Sequence, residues 1–221
     1  ADVTYSILLV PYGKRSFLTL RDGTRVWINS GTEVRFPVNM EGKERSIYVD
    51  GEIYIEVAKD KERPFYVHTS GFDVRVYGTK FNVTSYKADK EKSVVLVEGS
   101  VSVCSKEETK EKEVKEIFLH PDQMYHTTNR GPMITHVNAL QYITWKDGIW
   151  QFTSESLESI ALRLSRYYGV DIHCDEKTAV KSCTGKLILF DDVDKTLRII
   201  EEIFGVRYET NQNEIIISMN P

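Results

Sequence analysis

The residues of this 221-residue sequence that could carry out chemistry are a pair of glutamates, five histidines and three cysteines. Glu52 and Glu56 lie four residues apart in a strand-like run, so both side chains should face the same side of a sheet. Two such carboxylates can act as acid and base in glycoside hydrolysis, although a solvated strand face has the same pattern. The histidines are scattered, without the spacing typical of a metal site. We therefore expect no catalytic, cofactor-binding or metal-binding residues, and no enzyme.

The cysteines leave two alternatives open. Cys174 ends one predicted strand and Cys183 begins the next, so a disulfide across the short loop between them is geometrically feasible. The alternative is a pair of reduced, partly buried thiols. Cys104 has no evident partner in the sequence.

Composition narrows the class of protein. Hydrophobic residues make up 41% and charged residues 28%, as in ordinary globular proteins, and the net charge is −4. Nucleic acids and anionic membranes attract concentrated lysine and arginine, which this sequence lacks. No apolar run approaches the roughly 18 residues of a membrane-spanning helix.

The first part of the chain has the pattern of short strands. Apolar and polar residues alternate with a period of two, most clearly within Asp50–Val83, and turn residues separate the runs. Asp22-Gly23 and Glu98-Gly99 predict hairpins, and Asp50-Gly51 and Gly78-Thr79 predict turns. We predict a mainly β domain over residues 1–140, an antiparallel sandwich or roll. The charged run Ser105–Glu116 is interpreted as a solvated loop, with a binding patch as the alternative.

The character of the sequence changes after about residue 140. Helical periodicity appears over 155–168 and 193–204, and Gly169 and Gly205 follow at the positions of left-handed caps. Strands flank both helices, which predicts a small α+β domain over residues 141–221 with β-α-β-β-α-β-β order. Tyr142, Trp145 and Trp150 form an aromatic cluster near the predicted boundary, interpreted as an apolar seam between the domains or as a platform for a sugar or partner.

The motifs of the first part resemble the periplasmic FecR domain of transmembrane anti-sigma factors. The matching stretches, in the family's order, are Val10–Gly13, Leu20–Asn29, Val49–Val57, Arg63–Val67, Tyr77–Val83, Leu96–Val101 and Leu119–Pro121. Trp145–Gly148, Phe152 and Leu164–Tyr168 resemble the C-terminal domain that often follows FecR, whose topology is similar to the short N-terminal domain of secretins and TonB-dependent receptors.

We expect the family-motif residues to determine the fold and not to bind a ligand, with Trp27, Phe65 and Phe81 in the core. These residues are Asp22, Gly23, Trp27, Gly51, Glu52, Pro64, Phe65, Gly78, Thr79, Phe81, Asn82, Glu98, Gly99, Trp145 and Gly148.

The resemblance implies the sensor region of an anti-sigma factor, in the periplasm and anchored to the inner membrane in the full-length protein. Its implied partner is the N-terminal signalling domain of an outer-membrane TonB-dependent transporter. The sigma factor would be bound by a cytoplasmic segment of the family that, like the membrane helix, we expect to lie outside this sequence. The alternative function is a carbohydrate-binding module, which exposed, coplanar aromatic rings would favour.

Two surfaces are predicted for the partner. The last strand, with Glu214, Ile216 and Ser218, is expected to be an open sheet edge that accepts a strand of the partner. The second surface is the exposed face of the helix over 155–168, with Glu158, Arg163 and Arg166.

Overall fold

A computed structural model describes residues 3–106, 116–212 and 214–219. The chain divides into two compact units: the first holds residues up to Val10 together with Arg15–Ile143, and the second holds Pro11–Lys14 together with the residues from Thr144 onward. Most of the charged run predicted as a loop, 107–115, lies outside the described residues.

The described residues of the first unit form thirteen strands. They are β1 (Tyr5–Val10), β2 (Ser16–Thr19), β3 (Arg25–Ile28), β4 (Thr32–Pro37), β5 (Arg45–Glu56), β6 (Phe65–His68), β7 (Phe72–Val76), β8 (Lys80–Ser85), β9 (Ser93–Glu98), β10 (Val101–Ser105), β11 (Glu116–Leu119), β12 (Gln123–His126) and β13 (Met133–His136). A 3₁₀ helix, Ala139–Asp147, follows. The predicted mainly β fold is confirmed; β13 was not predicted.

Strand β5 joins the two wings of one large curled sheet. Its first half pairs with β4 and β6, and its second half pairs with β3 and β8. One wing has the order β1-β4-β5-β6-β7-β10-β11 and the other β2-β3-β5-β8-β9-β12-β13. All pairs are antiparallel except β5–β6. The alternating apolar side chains of both wings form one core, which includes Phe65 and Phe81.

Two predicted turns are wrong. Asp50-Gly51 does not end a strand, because β5 runs without interruption through both residues. Glu98-Gly99 does not make a hairpin, because β9 pairs with β8 and β12 while β10 pairs with β7 and β11. The chain therefore crosses from one wing to the other there. The hairpin at Asp22-Gly23 is confirmed, since β2 and β3 pair on either side of it.

Where the structure describes it, the second unit has three α-helices and two small sheets. Its elements are β14 (Ile149–Ser156), α1 (Leu157–Tyr168), β15 (Asp171–Cys174), α2 (Glu176–Ala179), β16 (Ser182–Ile188), α3 (Val193–Phe204), β17 (Val206–Asn211) and β18 (Glu214–Met219). Strands β14 and β16 pair, and the other sheet has the order β15-β18-β17. The one-turn helix α2 is the element that the predicted order omits.

Helices α1 and α3 end as the sequence predicts. Gly169 and Gly205 have φ of 71° and 62°, the left-handed conformation in which glycine has no steric penalty. Ser156 caps the start of α1 by accepting a hydrogen bond from the Ser159 amide. Their apolar faces pack into the second unit's own core, with Leu157, Leu164 and Leu197 fully buried. Within the described residues, no helix has the length and apolarity to cross a membrane.

Candidate functional site

A buried ion pair lies beneath the hairpin of the first unit. Arg45, 1% exposed, donates from Nη1 to Asp22 Oδ2 over 2.9 Å. The same nitrogen donates to the Ala58 carbonyl, and Nη2 donates to the Arg63 carbonyl, both over 2.9 Å. The guanidinium also lies over the ring of Phe65. One side chain thus ties the Asp22-Gly23 turn to the loop that precedes β6.

The Asp22 carboxylate explains why the motif reads Asp-Gly-Thr. It accepts the Thr24 amide at 3.0 Å and the Thr24 hydroxyl at 2.8 Å in addition to Arg45. Sequence analysis identified Asp22 and Gly23 but missed Arg45. A signal was present, because Arg45 is in phase with Ile47 and Val49, which fill the core face of β5.

A second buried carboxylate joins two motifs that lie far apart in the sequence. Glu52, 3% exposed, accepts Asn82 Nδ2 at 3.1 Å through Oε1 and Asn29 Nδ2 at 2.7 Å through Oε2. The Thr84 hydroxyl also donates to Oε1, over 3.1 Å. Amide and hydroxyl donors compensate for the hydration that the buried carboxylate has lost. Glu52 and Asn82 therefore act together in joining β5 to β8.

Glu52 and Glu56 have different hydrogen-bonding partners, so they do not share one network. Glu56 is engaged by a separate set of partners, Arg25 and the hydroxyl of Tyr54. Among the described residues no group of histidines, cysteines and carboxylates could hold a metal ion. A cleft of about 200 Å³ lies between Arg21 and Arg63, too small for a typical ligand pocket.

The Gly78-Thr79 turn packs against the Gly99 turn. Thr79 Oγ1 donates to the Ser100 carbonyl over 2.9 Å, and Lys80 Nζ lies 2.6 Å from Glu98 Oε2. A Cβ on Gly78, whose φ is 145°, would lie 2.6 Å from the Lys59 side chain. These contacts hold together the two connections that contain Gly78, Thr79, Glu98 and Gly99.

Trp27 is not in the core, contrary to the prediction. It is half-buried on the outer face of the sheet, between Phe17 and Tyr54, at ring-centroid distances of 4.9 and 5.2 Å. The rings are tilted by 60° and 41°, and Tyr54 is buried. Sugars stack on exposed, coplanar rings, so this row does not favour glycan binding.

Trp145 and Trp150 are both buried, so neither can serve as an exposed platform. Trp150 lies in the core of the second unit against Phe152, with Arg163 over its ring. Gly148 has φ of 72°, and its amide bonds the Trp145 carbonyl at 3.1 Å in the turn that begins β14. The sugar-platform interpretation is therefore wrong; the interdomain seam stays a prediction.

The predicted partner surface on helix α1 is only partly present. Glu158 is exposed and Arg163 is half-buried, but Arg166 is 7% exposed. The loop Pro11–Lys14 packs over this end of the helix, where the Gly13 amide donates to the Arg166 carbonyl over 2.9 Å. Sequence periodicity could not show that a segment more than 150 residues away bonds to the helix at the Arg166 carbonyl.

The last strand is not an open edge. Strand β18 lies in the centre of its sheet, parallel to β15 on one side and antiparallel to β17 on the other. Glu214, Ile216 and Ser218 instead share the outer face of this sheet, because Ile215 and Ile217 fill the inner face. Their neighbours on that outer sheet face are Asp171, His173, Arg207 and Glu209.

All three cysteines are free thiols. Burial raises the pKa of Cys174 to about 11, with Asp175 and Glu158 adding to the shift. Burial also raises the pKa of Cys183, with a further contribution from Glu155. Because the thiolate is the reactive form, both should react slowly at neutral pH.

We expect Cys174 to react with iodoacetamide at pH 8 at least about ten-fold more slowly than a thiol of ordinary pKa. Peptide mass spectrometry over a time course measures the rate at each cysteine. The same reaction in urea is the control, since unfolding should make Cys174 and Cys183 equally reactive. A disulfide would instead leave both unmodified in urea until a reductant is added.

Comparison with known proteins gives two family matches in chain order. The family described as "FecR protein" matches residues 8–102, and "FecR, C-terminal" matches residues 149–217. No curated protein sequence matches the chain.

Two crystal structures of a protein provisionally described as an anti-sigma factor, from Parabacteroides distasonis ATCC 8503, are similar along the whole chain. One has 26% identity and a TM-score of 0.88, covering 98% of this chain and all of the other. The second has 25% identity and a TM-score of 0.89, covering 99% of this chain and all of the other.

Proposed function

This chain belongs to the FecR family of signal-transducing anti-sigma factors, and from that premise we propose that it is the periplasmic sensor of an outer-membrane TonB-dependent transporter. The observation that carries the proposal is the order of the two matches, FecR followed by FecR C-terminal, in a chain similar to an anti-sigma factor structure over nearly its full length. When the transporter captures its substrate, the contact between the transporter and this chain would relay that signal towards the sigma factor.

The outer sheet face of the second unit is the surface that we propose for the transporter's N-terminal signalling domain. It carries three carboxylates, Asp171, Glu209 and Glu214, against one arginine, Arg207. Ile216 lies at its centre, paired with His173 on one side and Glu209 on the other. An apolar centre with a polar rim is typical of protein interfaces, and the carboxylates favour a basic partner surface.

Affinity capture tests this proposal. Residues 1–221 are immobilised, a detergent extract of the cell envelope is passed over them, and the retained proteins are identified. We expect one TonB-dependent transporter, whose retention is lost when its signalling domain is deleted. If no transporter is retained and a glycan array shows specific binding, the relay is wrong and direct glycan sensing replaces it.

Charge reversal on the outer sheet face should weaken that capture. We expect Glu214→Lys combined with Glu209→Lys to reduce transporter retention about ten-fold or more, because like charges would then face each other. The matched control is Glu202→Lys, an exposed position on helix α3, which should leave retention unchanged. Equal retention by all three proteins would contradict this surface while leaving the transporter as partner.

A further inference from the structure

Strand β1 is an unprotected edge of the large sheet. Among the described strands it pairs only with β4, and the Val38 amide donates to the Thr4 carbonyl over 2.9 Å. Hydrogen-bonded and non-hydrogen-bonded pairs alternate along an antiparallel ladder. The backbone amides and carbonyls of Tyr5, Ile7 and Leu9 therefore point away from β4, and no strand within the described residues pairs with them there.

The same three residues also present apolar side chains to solvent. Ile7 is 64% exposed, Leu9 is 67% exposed and Tyr5 is 36% exposed, while Leu8 packs against the core and Val10 is buried in it. Tyr5–Val10 contains no charged residue. Proteins usually protect a sheet edge with charge, proline, a bulge or a short strand. Strand β1 has none of these devices, and its six residues exceed the four of β2, β11 or β13.

We propose that β1 pairs with β1 of a second copy of this chain, antiparallel about a two-fold axis at Ile7. In this register Ile7 lies opposite Ile7 of the second copy, and Tyr5 lies opposite Leu9. The apolar side chains of both strands then form one continuous strip, and the free backbone groups hydrogen-bond to each other. Because β1 contains no charged residue, this pairing brings no like charges of the two strands together.

Two features favour a second copy over another occupant. The strand offers no charge that a charged segment could recognise, whereas its apolar pattern is complementary to itself. Pairing β1 with the other edge of the same wing, β11, would leave one edge open at each end and would produce an open-ended fibre. Pairing β1 with β1 closes after two copies.

The neighbouring strand β4 does not bring its arginines close together in this dimer. Arg35 is held over the rings of Tyr5 and Tyr48, at 4.7 and 4.1 Å from their centroids. Because Arg35 lies opposite Ile7 on β4, three strand spacings of about 4.8 Å would separate the two arginines of the dimer. The contact spans about 20 Å of strand, and an interface confined to one strand pair is smaller than those of stable dimers, so we expect a weak, reversible dimer.

Sedimentation equilibrium from about 1 to 200 μM tests the proposal, over the range expected for a small interface. We expect concentration-dependent dimers of residues 1–221 and an at least ten-fold weaker association of Ile7→Lys. The control is Phe118→Lys, which places the same charge at an exposed apolar position on the opposite edge, β11, and should still dimerise. Circular dichroism confirms that both variants are folded.

Cross-linking tests the register. Ile7→Cys should form an intermolecular disulfide under mild oxidation, since directly opposed residues in a strand pair have Cα atoms about 5.5 Å apart. Phe118→Cys and the unsubstituted chain, with its three native cysteines, provide the background. A monomer at every concentration, or dimers that Ile7→Lys leaves intact, would overturn the proposal.

Discussion

Replacing Arg45 by alanine should lower the free energy of unfolding of the first unit by about 3–5 kcal/mol, the cost of breaking a buried ion pair from one side. The substitution leaves the Asp22 carboxylate buried without its counter-ion. It also leaves the carbonyls of Ala58 and Arg63 without the Arg45 donors and removes the guanidinium that lies over the Phe65 ring.

Urea unfolding followed by circular dichroism measures this loss. The matched control is Arg25→Ala, which breaks an ion pair with Glu56 at an arginine side chain that is 54% exposed and should cost less than about 1 kcal/mol. In the double variant Asp22→Ala with Arg45→Ala the loss should be smaller than the sum of the two single losses, because no charge is left unpaired. Additive losses would show that the two side chains act independently.

The features of the fold that depend on residues close together in the sequence could be predicted from local sequence patterns. Alternation located most strands, and Asp22-Gly23 located the hairpin that joins β2 to β3, because each depends on residues close in sequence. The patterns could not show that β5 continues through Gly51 and joins both wings. That arrangement depends on β5 pairing with four strands at once, of which β3 and β8 are not its neighbours in the sequence.

The predicted exposure of Arg166 and the predicted open edge at β18 are wrong for the same physical reason. Amphipathic spacing cannot show which polar side chains of a helix become buried; Arg166 is buried, and the loop Pro11–Lys14 bonds to the helix at the Arg166 carbonyl. A terminal strand suggests an edge, but β18 lies between β15 and β17 because β15 pairs with it in parallel. Parallel pairing across 40 residues leaves no local signature. Glu214, Ile216 and Ser218 nevertheless share one solvent-facing side, as period-two spacing requires.

Gly51→Ala should destabilise the first unit by about 3–5 kcal/mol, from backbone strain together with overpacking. Gly51 has φ of 138°, a conformation that residues with a side chain rarely adopt. A Cβ there would lie 2.3 Å from Oγ1 and 2.6 Å from Cβ of Thr32, which is fully buried. Thr32 cannot move away easily, because its hydroxyl accepts the Glu52 amide over 3.0 Å.

Gly42→Ala separates the two causes of this loss. Gly42 also has a positive φ, 108°, but a Cβ there would meet nothing within 4 Å. Backbone strain alone should therefore lower the free energy of unfolding of this variant, by about 1–2 kcal/mol. Urea unfolding of both variants gives the difference, which reports the clash with Thr32. If Gly51→Ala were no less stable than Gly42→Ala, the close approach of β4 to β5 at Gly51 would not be the reason for glycine in the Asp-Gly-Glu motif.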